Sequence, residues 1–202
     1  MITIIDYKAG NAPSVYNAIK SLNIDCKMAS TSTEIEQASK IILPGVGSAS
    51  ETMSSLEEMD VIHLLNEMVL TKGVPFLGIC VGLQVLFDHS EEGNVDCLGW
   101  IPGKVKKFSA SQVRVPQMGW NSVTFQRSSA LIQDVPENSY YYFVNSYYAA
   151  PENHSDVLGV THYGLDFCSV VSHKNIHATQ FHVEKSGNVG LQILKNFCLN
   201  GG

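Results

Sequence analysis

Apolar positions in the first half of the chain follow two rhythms. Ile2 to Asp6, Ile24 to Met28, Lys40 to Leu43 and Val74 to Ile79 are short apolar runs of the length and branching expected of buried strands. Between them, Val15, Ile19 and Leu22 within Pro13 to Leu22 recur at helical spacing, as do Val61, Leu64, Leu65, Met68 and Val69 within Val61 to Leu70. Thr33 to Ser39 reads as a short polar helix, Gly73 as a helix stop, and Val81 to Phe87 as a helix leaving its strand without a loop. Strands alternating with helices require parallel crossovers. The pattern therefore predicts an α/β fold: an open, mostly parallel central sheet with helices on both faces.

The second half changes rhythm. Val105 to Phe108, Val113 to Val115, Ser122 to Phe125, Tyr140 to Tyr148, Val157 to Thr161, Phe167 to Ser172 and Ile176 to Phe181 are β-branched or aromatic runs separated by turn residues. They predict an added antiparallel portion, closed by a helix over Val189 to Phe197. No linker, repeat or low-complexity stretch interrupts the chain, so residues 1–202 are expected to form a single domain.

Composition narrows the function. The 202 residues are 45% hydrophobic but only 16% charged, against a usual figure near ~25%, which disfavours disorder and points to surface covered by a partner. Thirteen Lys plus Arg against nineteen Asp plus Glu leave a net charge of −6 with no basic cluster. Nucleic acid and anionic membrane are thereby excluded as electrostatic partners. The longest uncharged apolar-rich stretch, Gly73 to Phe87, is too short to span a bilayer. Met1 to Asp6 carries no signal-like pattern, so a cytoplasmic protein is expected. The five cysteines are scattered without a C-x-x-C pair, which argues against a disulfide framework or a zinc site and leaves at least one thiol free to react.

One of them stands out. Cys80 ends an apolar strand, begins a helix, and has Gly78 and Gly82 two residues to either side. This is the G-x-nucleophile-x-G elbow with Cys in place of Ser, in which small flanks permit a sharp turn. A helix starting at Val81 would favour the thiolate through its dipole and offer a free N–H to an oxyanion. A buried packing cysteine is the equally weighted alternative. A matching base shifts the balance: His182 and Glu184 project to one side of an extended chain, so one imidazole nitrogen can deprotonate Cys80 while Glu184 orients the other. His173 and His177, four apart in a strand-and-turn region, lack a third ligand, and no metal is expected. Pro44-Gly45-Val46-Gly47 follows a parallel strand and can turn backbone N–H groups toward a ligand at the sheet's C-terminal edge. It lacks the third glycine of a dinucleotide fingerprint, and no cofactor is expected.

With these residues in hand, the chain resembles the class I, or triad, glutamine amidotransferases. Gly78-Ile79-Cys80-Val81-Gly82-Leu83-Gln84 is similar to the family's G-x-C-x-G-x-Q elbow, and Phe181-His182-Val183-Glu184-Lys185-Ser186-Gly187 to its F-H-P-E-x-S-G motif. Ile5-Asp6-Tyr7 with Gly10-Asn11, Leu43 to Gly47, Met118 to Asn121 and Tyr141 to Val144 resemble stretches of the glutaminase subunits of histidine biosynthesis. The resemblance implies Cys80 as nucleophile, His182 as base and acid, and Glu184 as orienter. It further implies an oxyanion site at Gly45, Val46, Gly47 and Val81, and glutamine held by Gln84, Glu92, Asn145, Ser146 and Tyr147. It also implies a heterodimer with a (β/α)8-barrel cyclase, docked through Asn11, Met118, Trp120, Tyr142 and Lys185, that consumes the ammonia released from L-glutamine. From the residues alone, Trp120 beside Gly119 is equally an exposed anchor or a core tryptophan.

Three positions depart from the family's pattern. Val183 stands where the family has Pro, Asn145 where His usually follows Val144, and Ala49-Ser50 where an aromatic-containing pair is common. The runner-up is a paralogous subunit supplying ammonia for sugar amidation in surface-polysaccharide synthesis. A cysteine peptidase of the same fold and a non-catalytic binding subunit are the rivals from other classes.

Overall fold

The computed structural model describes residues 1–8 and 10–201. Its strands are β1 (Ile2–Ile5), β2 (Cys26–Ala29), β3 (Lys40–Gly45), β4 (Phe76–Cys80), β5 (His89–Ser90), β6 (Val95–Asp96), β7 (Gly103–Lys107), β8 (Gln117–Ser122), β9 (Thr124–Phe125), β10 (Tyr140–Asn145), β11 (Tyr147–Pro151), β12 (Val157–His162), β13 (Asp166–His173) and β14 (Ile176–Thr179). Its helices are α1 (Ala12–Ser21), α2 (Ser32–Ile35), α3 (Ala49–Glu58), α4 (Ile62–Asn66), α5 (Val81–Gln84) and α6 (Gly187–Asn200).

The main sheet runs β2-β1-β3-β4-β14-β13-β11-β7-β5-β6, with β12 and β9 continuing from β13. From β2 to β14 every neighbour is parallel, and between β14 and β7 every neighbour is antiparallel. The expected fold class holds. Strands β1, β3 and β4 read as solid apolar runs because almost every residue in them is buried, as parallel strands covered on both faces must be. Helix α1 packs on α6, β1 and β3, while α3 packs on α5. Lys40 at the start of β3 donates from Nζ to the carbonyls of Phe197 and Cys198 at 3.1 and 2.6 Å, tying the sheet to the open C-terminal end of α6.

Several elements differ from the pattern reading. Helix α3 was not anticipated at all, although Ser48 and Glu51 form a capping box in which each side chain accepts the other's backbone N–H, at 3.2 and 3.1 Å. The helix expected over Val61 to Leu70 is α4 followed by a π-helical turn at Glu67–Thr71. Val113 to Val115 is not a strand, whereas Gln117–Ser122, unread in the sequence, is. The run Tyr140 to Tyr148 breaks at Ser146 into β10 and β11. Strand β10 pairs with β8 in a separate two-stranded ribbon, whereas β11 joins the main sheet.

Candidate active site

Parallel β4 carries its last residue, Cys80, to the C-terminal edge of the sheet, where φ is 56° and ψ is −107°. Such a backbone is strained for any residue with a side chain and persists only where its surroundings over-determine it. Here the flanking glycines do so. A Cβ on Gly82 would collide with the Leu43 carbonyl oxygen of β3, and one on Gly78 with the carbonyl of Gly82. The elbow can approach β3 only because Gly82 is glycine, and can fold back over its own strand only because Gly78 is. Helix α5 covers just Val81–Gln84, not Val81 to Phe87, so the dipole expected behind Cys80 shrinks to that of one turn.

His182 lies three residues beyond the end of β14, at the start of a 3₁₀ turn over Val183–Lys185. Glu184 reaches the imidazole because this turn folds it back, not because the chain is extended; His182 Nδ1 and Glu184 Oε1 lie 2.9 Å apart. The turn is pinned to β10: His182 N donates to Tyr142 O at 3.0 Å, while Ser186 Oγ donates to His182 O at 2.6 Å and accepts from Tyr142 N at 3.0 Å. Val183, at the family's proline position, is buried in the core. Glu184 Oε1 also accepts from Asn11 Nδ2 at 2.9 Å, at the head of α1. Burial disfavours the imidazolium, but hydrogen bonds and charge attraction from Cys80 and Glu184 outweigh it and raise the pKa of His182. For Glu184, burial works against the carboxylate, yet the bond to His182, its charge and the Asn11 amide leave the pKa lowered. The arrangement thus favours the protonated imidazole beside the Glu184 carboxylate, the form His182 takes once it has accepted the Cys80 proton.

Cys80 and His182 open onto a cavity of about 300 Å³ lined also by Val46, Gly47, Val81, Gln84, Glu92, Pro116, Val144, Asn145, Ser146, Tyr147 and Lys185. All five residues expected to hold glutamine are among them. Gln84 Nε2 donates to Tyr147 O at 3.3 Å and Asn145 Nδ2 to the same carbonyl at 3.0 Å. Their carbonyl oxygens, Gln84 Oε1 and Asn145 Oδ1, are buried with no hydrogen-bond partner among the described residues. Glu92 Oε2 accepts from Ala49 N at 2.9 Å, and burial raises its pKa.

Val46 and Gly47 border the cavity together with Val81, Gly47 with φ 96°, whereas Gly45 is not in its lining and is paired with Cys80 and packed on Val81. The Tyr7 hydroxyl, whose pKa burial pushes up to about 12, backs this segment through the Val46 backbone and lies 3.4 Å from the Thr52 hydroxyl. A larger groove of about 860 Å³, along Val123 to Asn138, contains neither Cys80 nor His182 and belongs to no part of this site.

Two further lining residues, Pro116 and Val144, went unread in the sequence, as did Gln180, whose amide Nε2 stands 3.8 Å from Cys80 Sγ. A polar residue inside the apolar run Ile176 to Phe181 was the available signal. Four of the five residues expected at a partner interface lie at the cavity edge or on the ribbon. Met118 and Trp120 of β8 are exposed on one face with half-buried Tyr142 of β10, and Trp120 meets Tyr142 edge-to-face at 5.9 Å. Trp120 is 57% exposed, which sets aside its reading as a core tryptophan. Lys185 is exposed at the cavity edge. Asn11 points inward to Glu184.

The model of the family described as "Glutamine amidotransferase class-I" matches residues 3–200. The chain is 44% identical to the "Imidazole glycerol phosphate synthase subunit HisH" of Dehalococcoides mccartyi, covering 98% of this chain and 96% of that protein. It is 43% identical to the protein of that name from Leptospira interrogans, covering 98% of each, and 40% identical to that of Neisseria meningitidis serogroup B, covering 96% and 97%. Among solved structures it resembles a glutamine amidotransferase with TM-score 0.75 at 16% identity, covering 96% and 97%, and PurLQS from Thermotoga maritima with TM-score 0.77 at 14% identity, covering 98% and 97%. At such identities these structures share the fold.

Proposed function

The chain belongs to the class I glutamine amidotransferase family, and from that premise we propose that it is the glutaminase subunit of an imidazole glycerol phosphate synthase, delivering ammonia to a cyclase partner. The observation that carries the reading is the strained Cys80 elbow beside the His182–Glu184 pair at 2.9 Å, opening on a cavity lined by Gln84, Glu92 and Asn145. Full-length similarity to three subunits of that name supports this acceptor pathway over sugar amidation.

In this reading Cys80 passes its proton to His182 and its sulfur attacks the carboxamide carbon of L-glutamine. The backbone N–H groups of Val81 and of the Val46-Gly47 segment receive the developing oxyanion; one such donor is worth about 2.7–4 kcal/mol. His182 then protonates the departing ammonia, leaving a γ-glutamyl thioester on Cys80. It next takes a proton from water, whose oxygen attacks the thioester carbonyl and releases glutamate. Glu184 holds the imidazole tautomer throughout and stabilises its charged form. The side chains of Gln84 and Asn145 face the glutamine, and Glu92 shapes the rim. The (β/α)8-barrel partner covers the mouth beside Trp120 and Lys185, so that ammonia passes to the acceptor without entering solvent.

Cys80→Ala tests the assignment. Glutamine hydrolysis by the complex falls to background, while synthesis driven by added ammonium salt continues at the wild-type rate. Retained glutamine hydrolysis removes Cys80 from the reaction, and loss of both activities speaks against a separate ammonia acceptor.

A further inference from the structure

Resting on the reading of Cys80 as the nucleophile, we propose that Gln180 is a further catalytic residue: its side-chain amide donates to the Cys80 sulfur and holds it in the anionic form. Gln180 is wholly buried, in the short segment that leads from β14 to His182. A primary amide in such a place is costly unless its groups are bonded. It has two side-chain partners: its Oε1 accepts from Gln84 Nε2 at 3.1 Å, and its Nε2 lies 3.8 Å from Cys80 Sγ.

The orientation of this amide follows from its neighbours. Gln84 Nε2 also donates to the backbone carbonyl of Tyr147, a group that can only accept, so the nitrogen end of Gln84 faces Gln180. Gln180 must answer with its oxygen, which turns its N–H groups to the sulfur. The same Tyr147 carbonyl also accepts from Asn145, and from Gln84 donation runs on through Gln180 to the nucleophile. Donation into Gln180 Oε1 polarises its N–H and strengthens the bond it gives.

A donor at this position acts on one protonation state. The neutral thiol directs its proton to Val144 O at 3.8 Å; once that proton has moved to His182, the sulfur only accepts. Hydrogen bonds to an ionised acceptor are shorter and about twice as strong as neutral ones, so the Gln180 contact strengthens as the sulfur becomes charged. The one-turn α5 supplies little of the dipole expected behind an elbow cysteine, and Gln180 supplies the missing stabilisation.

The test reads the sulfur itself. The intact chain is alkylated with iodoacetamide between pH 5 and 9, and modification of the Cys80 peptide is followed by mass spectrometry, separating it from the other four thiols. Gln180→Met preserves length and approximate volume but has no N–H; Gln180→Glu keeps the acceptor for Gln84 and places a carboxylate oxygen against the sulfur. In Gln180→Met the pH of half-maximal alkylation rises by about one unit, while the high-pH plateau stays within about twofold of wild type. Gln180→Glu moves the profile in the same direction and further. An unmoved midpoint, or a plateau that falls without a change in midpoint, overturns the proposal and leaves Gln180 a packing residue. Either variant that retains its circular dichroism and melting transition decides the matter. Because iodoacetamide reports the sulfur and not glutamine turnover, an unmoved profile counts against Gln180 alone, whereas a wild-type complex without glutaminase activity counts against the reading on which the proposal rests.

Discussion

His173 and His177 show how two residues of one type acquire opposite characters from their surroundings. Four positions apart in sequence, they do not converge: His173 Nδ1 lies 2.8 Å from Asp156 Oδ1, while His177 is buried in β14 with Nδ1 unpartnered. Burial, reinforced by the positive charge of Arg127, pushes His177 down from 6.5 to about 4. Between those values the unfolded chain binds a proton that the folded chain refuses, so stability falls as pH falls, by roughly 3 kcal/mol across the interval. His182 has the opposite sign. Its pKa is raised in the fold, so its contribution is complete below the unfolded value and is lost only as pH climbs through the folded one. Glu184, whose carboxyl is held low, adds loss of the same sign toward the acid end, so the part of the slope nearer pH 6.5 is assigned to His177. His177→Leu should flatten it, read as urea midpoints at several pH values in that range; a variant with an undiminished slope places the acid sensitivity elsewhere.

At the scale of elements, legibility tracked how much of each signal was local. Strands β1, β3 and β4 were readable because burial on both faces leaves unbroken apolar runs. Helix α3 was not, because its buried face includes Thr52 beside Ala49, Met53 and Leu56, and this mixed stripe lacks a clear apolar period. Its one strong local mark is the capping box at Ser48 and Glu51. Ser48→Ala should cost about 1 kcal/mol of stability in chemical denaturation. It should also loosen the first turn of α3, whose Ala49 N–H is held by Glu92 at the cavity rim. A change below about 0.3 kcal/mol would show that tertiary contacts, not the cap, hold this end of α3. The run Tyr140 to Tyr148 was legible as extended chain but not as two strands. Its division at Ser146 comes from pairing with β8 on one side and β7 on the other, partners distant in sequence.

At the scale of the whole molecule, one end of the sheet gathers the Cys80 elbow, the His182 turn and the Gly47 loop, with the exposed Met118–Trp120–Tyr142 face nearby on the ribbon. In the proposed complex the cyclase barrel covers that ribbon, and Trp120 has the exposure and aromatic area of a binding hot spot. Trp120→Ala should weaken association with the cyclase subunit by about 2 kcal/mol or more, some thirtyfold in Kd by titration calorimetry, without altering the melting of the free chain. Unchanged affinity would move the interface off the ribbon. The alternation of parallel strands and helices, the glycine-flanked cysteine and the His-x-Glu motif are legible in the chain alone, because strand burial, tight turns and short spacings are written in neighbouring residues. That Glu184 reaches His182 through a 3₁₀ turn, that α5 is a single turn, that Trp120 faces outward and that Gln180 meets the nucleophile are settled by the folded molecule. Those are contacts and exposures set by elements as much as 100 residues apart in the chain, fixed by packing and not by local pattern.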